Sequence, residues 1–356
     1  MVIERFEVVH FTLPFERLYT TARGSLTERD LVLLKLHSEG LTGLGETAAM
    51  TLRGSKPAGE LARELDEACR EHLLGVEIDA SGLERALIPL RHADARPELL
   101  ACADIALHDL LAQAAGVPLW HFLGCEQVRP IRCNATLPMA NPSELANVTA
   151  EWRDVGFDTF KLKVGVPGDT ARVAAVRRVV GEAGSLRLDA NGAWRPDEAA
   201  ERLAGIGESG IELIEEPTSG LGALSDLRTV TDVPIAADES VATGREAREA
   251  VERRSCDYVA LKLAKVGGIR NAIEIAETIP SYMTSALEGP VGVTAAAHVV
   301  GAMPDSGLPH GLATERLFSS TVGRGGEWMG ADLILPEAPG IGVVLDDEML
   351  ENRRVR

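Results

Sequence analysis

FDTFKLKVG, residues 157–165, sets Lys161 and Lys163 one residue apart among Phe157, Phe160, Leu162 and Val164. In a strand, alternate side chains leave on one face, so both ammonium groups point the same way. Read alone, the stretch is the solvent-facing edge of an amphipathic strand. What stands on either side of it changes that reading.

From about residue 130 onward, short apolar runs alternate with longer amphipathic ones. The strand-like runs are IRCNATL (131–137), TFKLKV (159–164), LRLDA (186–190), IELIEEP (211–217), VPIAADES (233–240), YVALKLAK (258–265), SYMTSALE (281–288) and HGLAT (310–314). Helical patterns such as PDEAAERLAGIGES (196–209) and GREAREAVERRS (244–255) fit between them. Strands alternating with helices predict an α/β fold, here a parallel (β/α)7β TIM-like barrel. An open doubly wound sheet is the alternative, but NATLPMANPS after the first strand is no phosphate-binding glycine loop.

The chain before the barrel reads differently. IERFEVVHFTL and RDLVLLKLHS are strand-like, and GLTGLGETAAM follows with Gly40, Gly43 and Gly45. These glycines open no helix with an acidic partner, which argues against a dinucleotide site. Residues 58–75 and 97–115 carry helical periodicity, the second stopping at Gly116 and Pro118. The expected organisation is an α+β capping domain over 1–125, a barrel over 126–325, and a tail over 326–356 that returns to the cap.

The 356 residues are 45% hydrophobic and 25% charged, with a net charge of −18. That balance suits a soluble globular protein and opposes nucleic-acid binding, which needs a basic footprint. An acidic substrate would need a local positive site or a metal. Cys69, Cys102, Cys125, Cys133 and Cys256 are scattered and form no CxxC pair, as expected of reduced thiols in a cytoplasmic protein. No signal peptide is visible, and GVTAAAHVVGAM (292–303) is too short to span a membrane and reads as a buried helix.

Barrels of this kind place chemistry at the C-terminal ends of their strands. The second strand ends with Lys161 and Lys163, the third with Asp189 and Asn191, the fourth with Glu215 and Glu216. The fifth ends with Asp238 and Glu239, and the sixth carries Lys262 and Lys265. A lone acidic residue after a strand is usually a helix cap or a solvated turn. Asp189, Glu215 and Asp238 follow one another at 26 and 23 residues, one βα unit each. Three carboxylates on adjacent strands repel unless a divalent cation holds them, and hard oxygen ligands suit Mg²⁺. Such an ion stabilises the charge that develops when the α-proton of a bound carboxylate leaves. Free lysine titrates near ~10.4. A neighbouring ammonium lowers that value, so Lys161 is expected to tune Lys163 as a base.

These residues resemble the enolase superfamily, in its muconate-lactonizing-enzyme-like subgroup. KLK matches the subgroup's paired lysines, while LDANGAW, IEEP and ADES match its metal ligands as Asp189, Glu215 and Asp238. LKLAKVGG matches the opposite lysine as Lys262, and ADIALHDLLAQAAGVPLWHFLG resembles the entry to the barrel. The resemblance implies a capping α+β domain from both termini, Mg²⁺ with Mn²⁺ as a substitute, a small carboxylate substrate, no nucleic-acid or membrane partner, and room for a homo-oligomer. Asn191 and Glu239 are expected beside the ligands.

The subgroup includes o-succinylbenzoate synthases, N-succinylamino-acid racemases, dipeptide epimerases and muconate cycloisomerases. Dipeptide epimerases usually carry Asp-x-Asp at the eighth strand for the substrate's amino group, and HGLATERLF has no such pair. TSALEGPVGVTAAAH, HGLAT and TARGSLTERDLVLLKL are similar to o-succinylbenzoate synthases. The leading expectation is therefore a carbon–oxygen lyase of menaquinone biosynthesis. It would dehydrate 2-succinyl-6-hydroxy-2,4-cyclohexadiene-1-carboxylate, with Lys163 as base and Lys262 charged opposite. Arg23, Thr284 and Ser285 are the candidate substrate contacts. The alternatives are a racemase or epimerase using the same metal and both lysines, a muconate cycloisomerase, and a binding protein on an inactive barrel.

Overall fold

The computed structural model describes residues 1–21, 23–92, 96–207 and 210–355. Strands β1 (Arg5–Thr21), β2 (Gly24–Ser38) and β3 (Leu41–Ala48) form an antiparallel meander. Leu31 to Leu34 of β2 are all buried, unlike a one-sided strand. The two faces serve two cores. Leu31 and Leu33, with Val9, Phe11 and Leu13 of β1, pack into the core shared with the barrel. Val32, Leu34 and Leu36 pack against helices α1 (Ala58–His72), α2 (Leu83–His92) and α3 (Pro97–Ala114).

Gly43 and Gly45 explain how α3 approaches β3. A Cβ on Gly43 would stand 2.2 Å from the Ala106 carbonyl oxygen, and one on Gly45 1.9 Å from that of Cys102. These glycines serve helix packing. The β1–β2 register breaks between Pro14 and Tyr19 in a bulge that exposes Glu16, Arg17 and Leu18 while Phe15 stays buried against Tyr19 and Phe318. Arg17 in the bulge pairs with Glu151 on the barrel helix Pro142–Asp154.

The barrel strands are β5 (Ala135–Leu137), β6 (Thr159–Lys163), β7 (Ser185–Asp189), β8 (Leu213–Glu215), β9 (Ile235–Ala237), β10 (Tyr258–Leu261) and β11 (Ser281–Met283), preceded by β4 (Ile131–Arg132). β5 to β11 pair in parallel, each beside its sequence neighbour. The eighth position is closed by single bridges, Cys133 to His310 and Thr284 to Gly311. The expected strand 310–314 is thus two residues of pairing. Gly311 has to lie flat there, because a Cβ would meet Thr284 Oγ1 at 2.6 Å.

Three further expectations shift. The run 131–137 splits, since β4 leaves the barrel to pair with β14 (Asp332–Ile334), which also pairs with β13 (Glu327–Met329). The run 258–265 is a strand only to Leu261, and Lys262 caps a short helix, Leu263–Val266, that carries Lys265. Helix 196–209 is described as Pro196–Ile206, while residues 208–209 lie outside the described residues. The apolar run near 292–303 is a helix, Pro290–Ala302, buried along most of its length. β12 (Gly323–Arg324), just before the expected tail, pairs with β15 (Val344–Leu345) within it, and a helix, Asp347–Arg353, follows. Arg354 bridges to Phe11 of β1. Among the described residues no helix is long and apolar enough to cross a membrane.

Candidate active site

The parallel register builds the site. Lys163 is the cross-strand partner of Asp189, and Asp189 is the partner of Glu215. Asp238 follows the last residue of β9. Period two then turns Lys161 and Lys163 to one side, and all five residues of β6 are buried. The solvent-edge reading of this stretch does not hold.

Lys161 Nζ donates to Glu215 Oε2 at 2.6 Å and lies 2.9 Å from Asp189 Oδ2. Lys163 Nζ donates to Asp189 Oδ2 at 2.5 Å and to Asn191 Oδ1 at 2.9 Å. Asn191 is held by its own backbone N–H on Asp189 Oδ1. On the other wall, Lys262 Nζ donates to Asp238 Oδ2, and Lys265 Nζ lies 3.2 Å from Asp238 Oδ1. The β6 and β10 positions lie four apart in a ring of eight, so Lys163 and Lys262 stand on opposite sides.

Two participants, Tyr282 and Arg53, escape the sequence reading, and a third, Glu216, is named there as a strand end without a role. Tyr282, in an apolar strand, donates its hydroxyl to Glu215 Oε2 at 2.6 Å, and its ring lies under the Arg187 guanidinium at 5.2 Å. Glu216, at φ +40°, accepts from the backbone N–H of Asp238 at 2.7 Å and from the Ser240 hydroxyl, which fixes the end of β9. Arg53 reaches in from the cap, 3.0 Å from Asp238 Oδ2 and 2.9 Å from Glu239 Oε1. A tyrosine in SYM reads as core, and a lone arginine in a cap turn carries no periodic signal.

The electrostatics differ across the cleft. Burial opposes the charge on Lys163, but Asp189 outweighs it and the ammonium titrates above its ordinary value. Lys161 does pull Lys163 down, as expected, yet the carboxylate prevails. Lys161 is also raised: burial is overcome by Asp189 and Glu215. Lys262 moves the other way, lowered by burial and by Arg53. Burial and Glu239 push Glu216 up to about 7.

The cleft is lined by Lys161, Lys163, Lys262 and Asn191, by Tyr19, Arg23, Arg29 and Arg53 from the cap, and by Thr284 and Ser285 after β11. Arg23 lies at the rim and donates to the Asn191 carbonyl at 2.7 Å. Ser285 is committed to its own turn, donating to Glu288 Oε2 at 2.5 Å and accepting from the Leu287 and Glu288 amides. The Thr284 hydroxyl leans on the Gly311 carbonyl at 3.4 Å. Both line the cleft with hydroxyls already engaged.

Glu215 Oε1 is buried and accepts no hydrogen bond, and Asp238 Oδ1 has only the Lys265 ammonium, 3.2 Å away. Buried carboxylate oxygens left short of hydrogen bonds on neighbouring strand ends fit a hard divalent cation. Among the described residues, no three acidic, histidine or cysteine side chains already form a cage, because the lysine nitrogens occupy the space between the acids.

Residues 5–124 match the family described as mandelate racemase / muconate lactonizing enzyme, N-terminal domain, and residues 144–349 match the enolase C-terminal domain-like family. The L-Ala-D/L-Glu epimerase of Bacillus subtilis is 30% identical over 97% of each chain. The o-succinylbenzoate synthase of Thermobifida fusca is 36% identical over 196 residues, 53% of this chain and 61% of that protein. The dipeptide epimerase of Enterococcus faecalis, solved with Mg and L-Leu-L-Tyr, superposes with a TM-score of 0.89 at 28% identity, covering 96% of this chain and 99% of that one.

Proposed function

The chain belongs to the enolase superfamily, in its mandelate racemase / muconate lactonizing enzyme group, and from that premise we propose a Mg²⁺-dependent enzyme that removes the α-proton of a dicarboxylate, with o-succinylbenzoate synthesis as its reaction. Mg²⁺, held by Asp189, Glu215 and Asp238, would supply the positive charge that a carboxylate losing its α-proton requires.

The observation that carries this reading is the sign of the cleft wall. Among the described residues Arg23, Arg29, Arg53, Lys161, Lys163 and Lys262 line it, with the acids Asp189, Glu215 and Asp238 set behind the lysines. Arg23 and Arg29 thus carry the positive charge that no carboxylate of the cluster offsets. Burial pushes Arg29 down to about 10, which leaves it charged at neutral pH. Such a wall suits a substrate with two carboxylates and no ammonium group. The eighth-strand position ends in Leu312, Ala313 and Thr314, which offer no carboxylate to a dipeptide's amine. The synthase substrate carries a ring carboxylate and a succinyl arm.

In this mechanism Lys163 would take the α-proton in its neutral form, once Asp189, which raises it here, is engaged elsewhere. Loss of the β-hydroxyl as water follows, with the same lysine returning a proton to the leaving oxygen. Asn191 Oδ1 holds Lys163 in place, and Lys161 stays charged between Asp189 and Glu215. Lys262 keeps its charge on the opposite face. That opposition favours a second reading, racemisation of an N-succinylamino acid, in which Lys262 returns the proton from the far side.

The test is α-proton exchange in D₂O with Mg²⁺, followed by NMR on N-succinylamino acids and on dipeptides. Exchange on the succinylated compounds and none on dipeptides is expected. Efficient dipeptide exchange, with none on succinylated compounds, would overturn the dicarboxylate reading.

A further inference from the structure

Five cationic side chains surround the carboxylates: Lys161, Lys163, Lys262, Lys265 and Arg53. Four belong to the barrel, carried by β6 or by the turn and short helix after β10. Arg53 comes from the cap. It lies in one 3-10 turn, Thr51–Arg53, closed by its N–H on the Met50 carbonyl at 2.8 Å and ended by Gly54 at φ +83°. No residue of that turn is buried. A tether to α3 runs through Ser55, whose hydroxyl donates to Glu98 at 2.6 Å. Short turns without buried side chains open at low free-energy cost. Yet this one sends its guanidinium across the domain boundary to Asp238 and Glu239.

Two cations share one carboxylate poorly. Mg²⁺ draws oxygen ligands to ~2.0–2.1 Å in a near-octahedral shell. Whichever oxygen of Asp238 takes the ion, the guanidinium then faces a doubly charged centre across the same carboxylate, and like charges at that range repel strongly. Lys262 and Lys265 are carried by the barrel, whereas Arg53 is carried by a cap turn with no buried side chain, held by the Ser55–Glu98 bond and by its own pairs to Asp238 and Glu239.

We infer that Arg53 is a lid residue that competes with the divalent cation: metal binding at Asp238 and closure of the 51–54 turn over the site oppose each other. This rests on Asp238 being a metal ligand, as proposed above. Arg53 acts through Asp238 and Glu239 as a positioning residue. Coupling between two binding events is reciprocal, so removing the guanidinium strengthens metal binding.

The experiment is calorimetric titration of Mg²⁺ into substrate-free protein, comparing wild type with Arg53→Gln, Arg53→Lys and Asp238→Asn. Arg53→Gln is expected to bind Mg²⁺ at least about fivefold more tightly, and Arg53→Lys to return most of the way to wild type. A damaged fold would lower affinity, so a tighter site is a readout that a merely structural role does not produce. Equal or weaker binding by Arg53→Gln, with Asp238→Asn unable to bind, would overturn the lid and leave the metal assignment standing. Wild-type affinity in Asp238→Asn would remove Asp238 from the metal site, and the inference with it.

Discussion

Lys163 and Lys262 face one cleft from opposite walls, but the walls are built differently. The side chains that bond Lys163 and Lys161 all belong to the barrel: Asp189, Glu215 and Asn191 stand on or just past β7 and β8. Among the described residues the cap reaches this wall through Tyr19 and through Arg23 on the Asn191 carbonyl. There the carboxylates win over burial and hold the lysines charged. The Lys262 wall is finished by another domain. Arg53 comes from the cap, takes part of the Asp238 charge, and with burial lowers Lys262. One wall is therefore a fixed feature of the strand register, and the other depends on where the cap stands. The fixed wall sets the place of the proposed base, whose Asp189 contact must be relieved before Lys163 can accept a proton. The adjustable wall suits control of when the site is loaded.

Substitutions can break this comparison. The largest effect is expected for Lys163→Ala, which should lower kcat/KM by at least about 10³-fold under the synthase and the racemase reading alike. A near-normal rate would remove Lys163 from the chemistry. Lys262→Ala sharpens the contrast: in the synthase it should slow turnover through lost charge, and in a racemase it should abolish exchange from one enantiomer only. Asp238→Asn should weaken Mg²⁺ by more than about tenfold in calorimetry, since it removes a charged ligand.

Tyr282→Phe tests the fixed wall from below. It takes one hydrogen bond from Glu215 while Lys161 keeps the other, so Mg²⁺ affinity should fall by about tenfold and stability by about 1–2 kcal/mol. An unchanged metal affinity would make Tyr282 a packing residue alone.

The smallest effect on activity concerns the seam between cap and barrel. Glu46 of β3 is buried and accepts the Gly289 and Val291 amides at the start of helix Pro290–Ala302. Burial pushes its carboxyl up from 4.5 to about 8. The folded state then binds more protons than the unfolded one between those values. Stability is full below pH 4.5 and declines as pH rises to 8, by several (~5) kcal/mol. Glu46→Gln should flatten that part of the slope in urea melts across the same range, and an unaltered slope would mean Glu46 is ionised in the folded protein.

The fixed wall is also the part that the sequence made legible. Period two in FKLKV and the regular spacing of Asp189, Glu215 and Asp238 follow from strand geometry, and the ladder pairs Lys163 with Asp189 and Asp189 with Glu215. Local pattern was less informative where a neighbouring element decides the outcome. Lys265 sits three residues after Lys262, a helical interval that the apolar run KLAK disguised as strand. Tyr282 looked like core because its hydroxyl partner lies in another strand. Arg53 and the paired glycines of β3 depend on contacts between domains or across the cap, which no periodicity encodes. Thr284 and Ser285 were found in the cleft, but the turn that follows them takes up their hydroxyls.

The central claim, metal-dependent removal of an α-proton from a dicarboxylate, is tested most directly by ultraviolet absorbance of 2-succinyl-6-hydroxy-2,4-cyclohexadiene-1-carboxylate with Mg²⁺, and again after EDTA. Fast loss of substrate that EDTA abolishes is the predicted result. No turnover while calorimetry shows Mg²⁺ bound would contradict the synthase assignment and move the reaction to racemisation across Lys163 and Lys262.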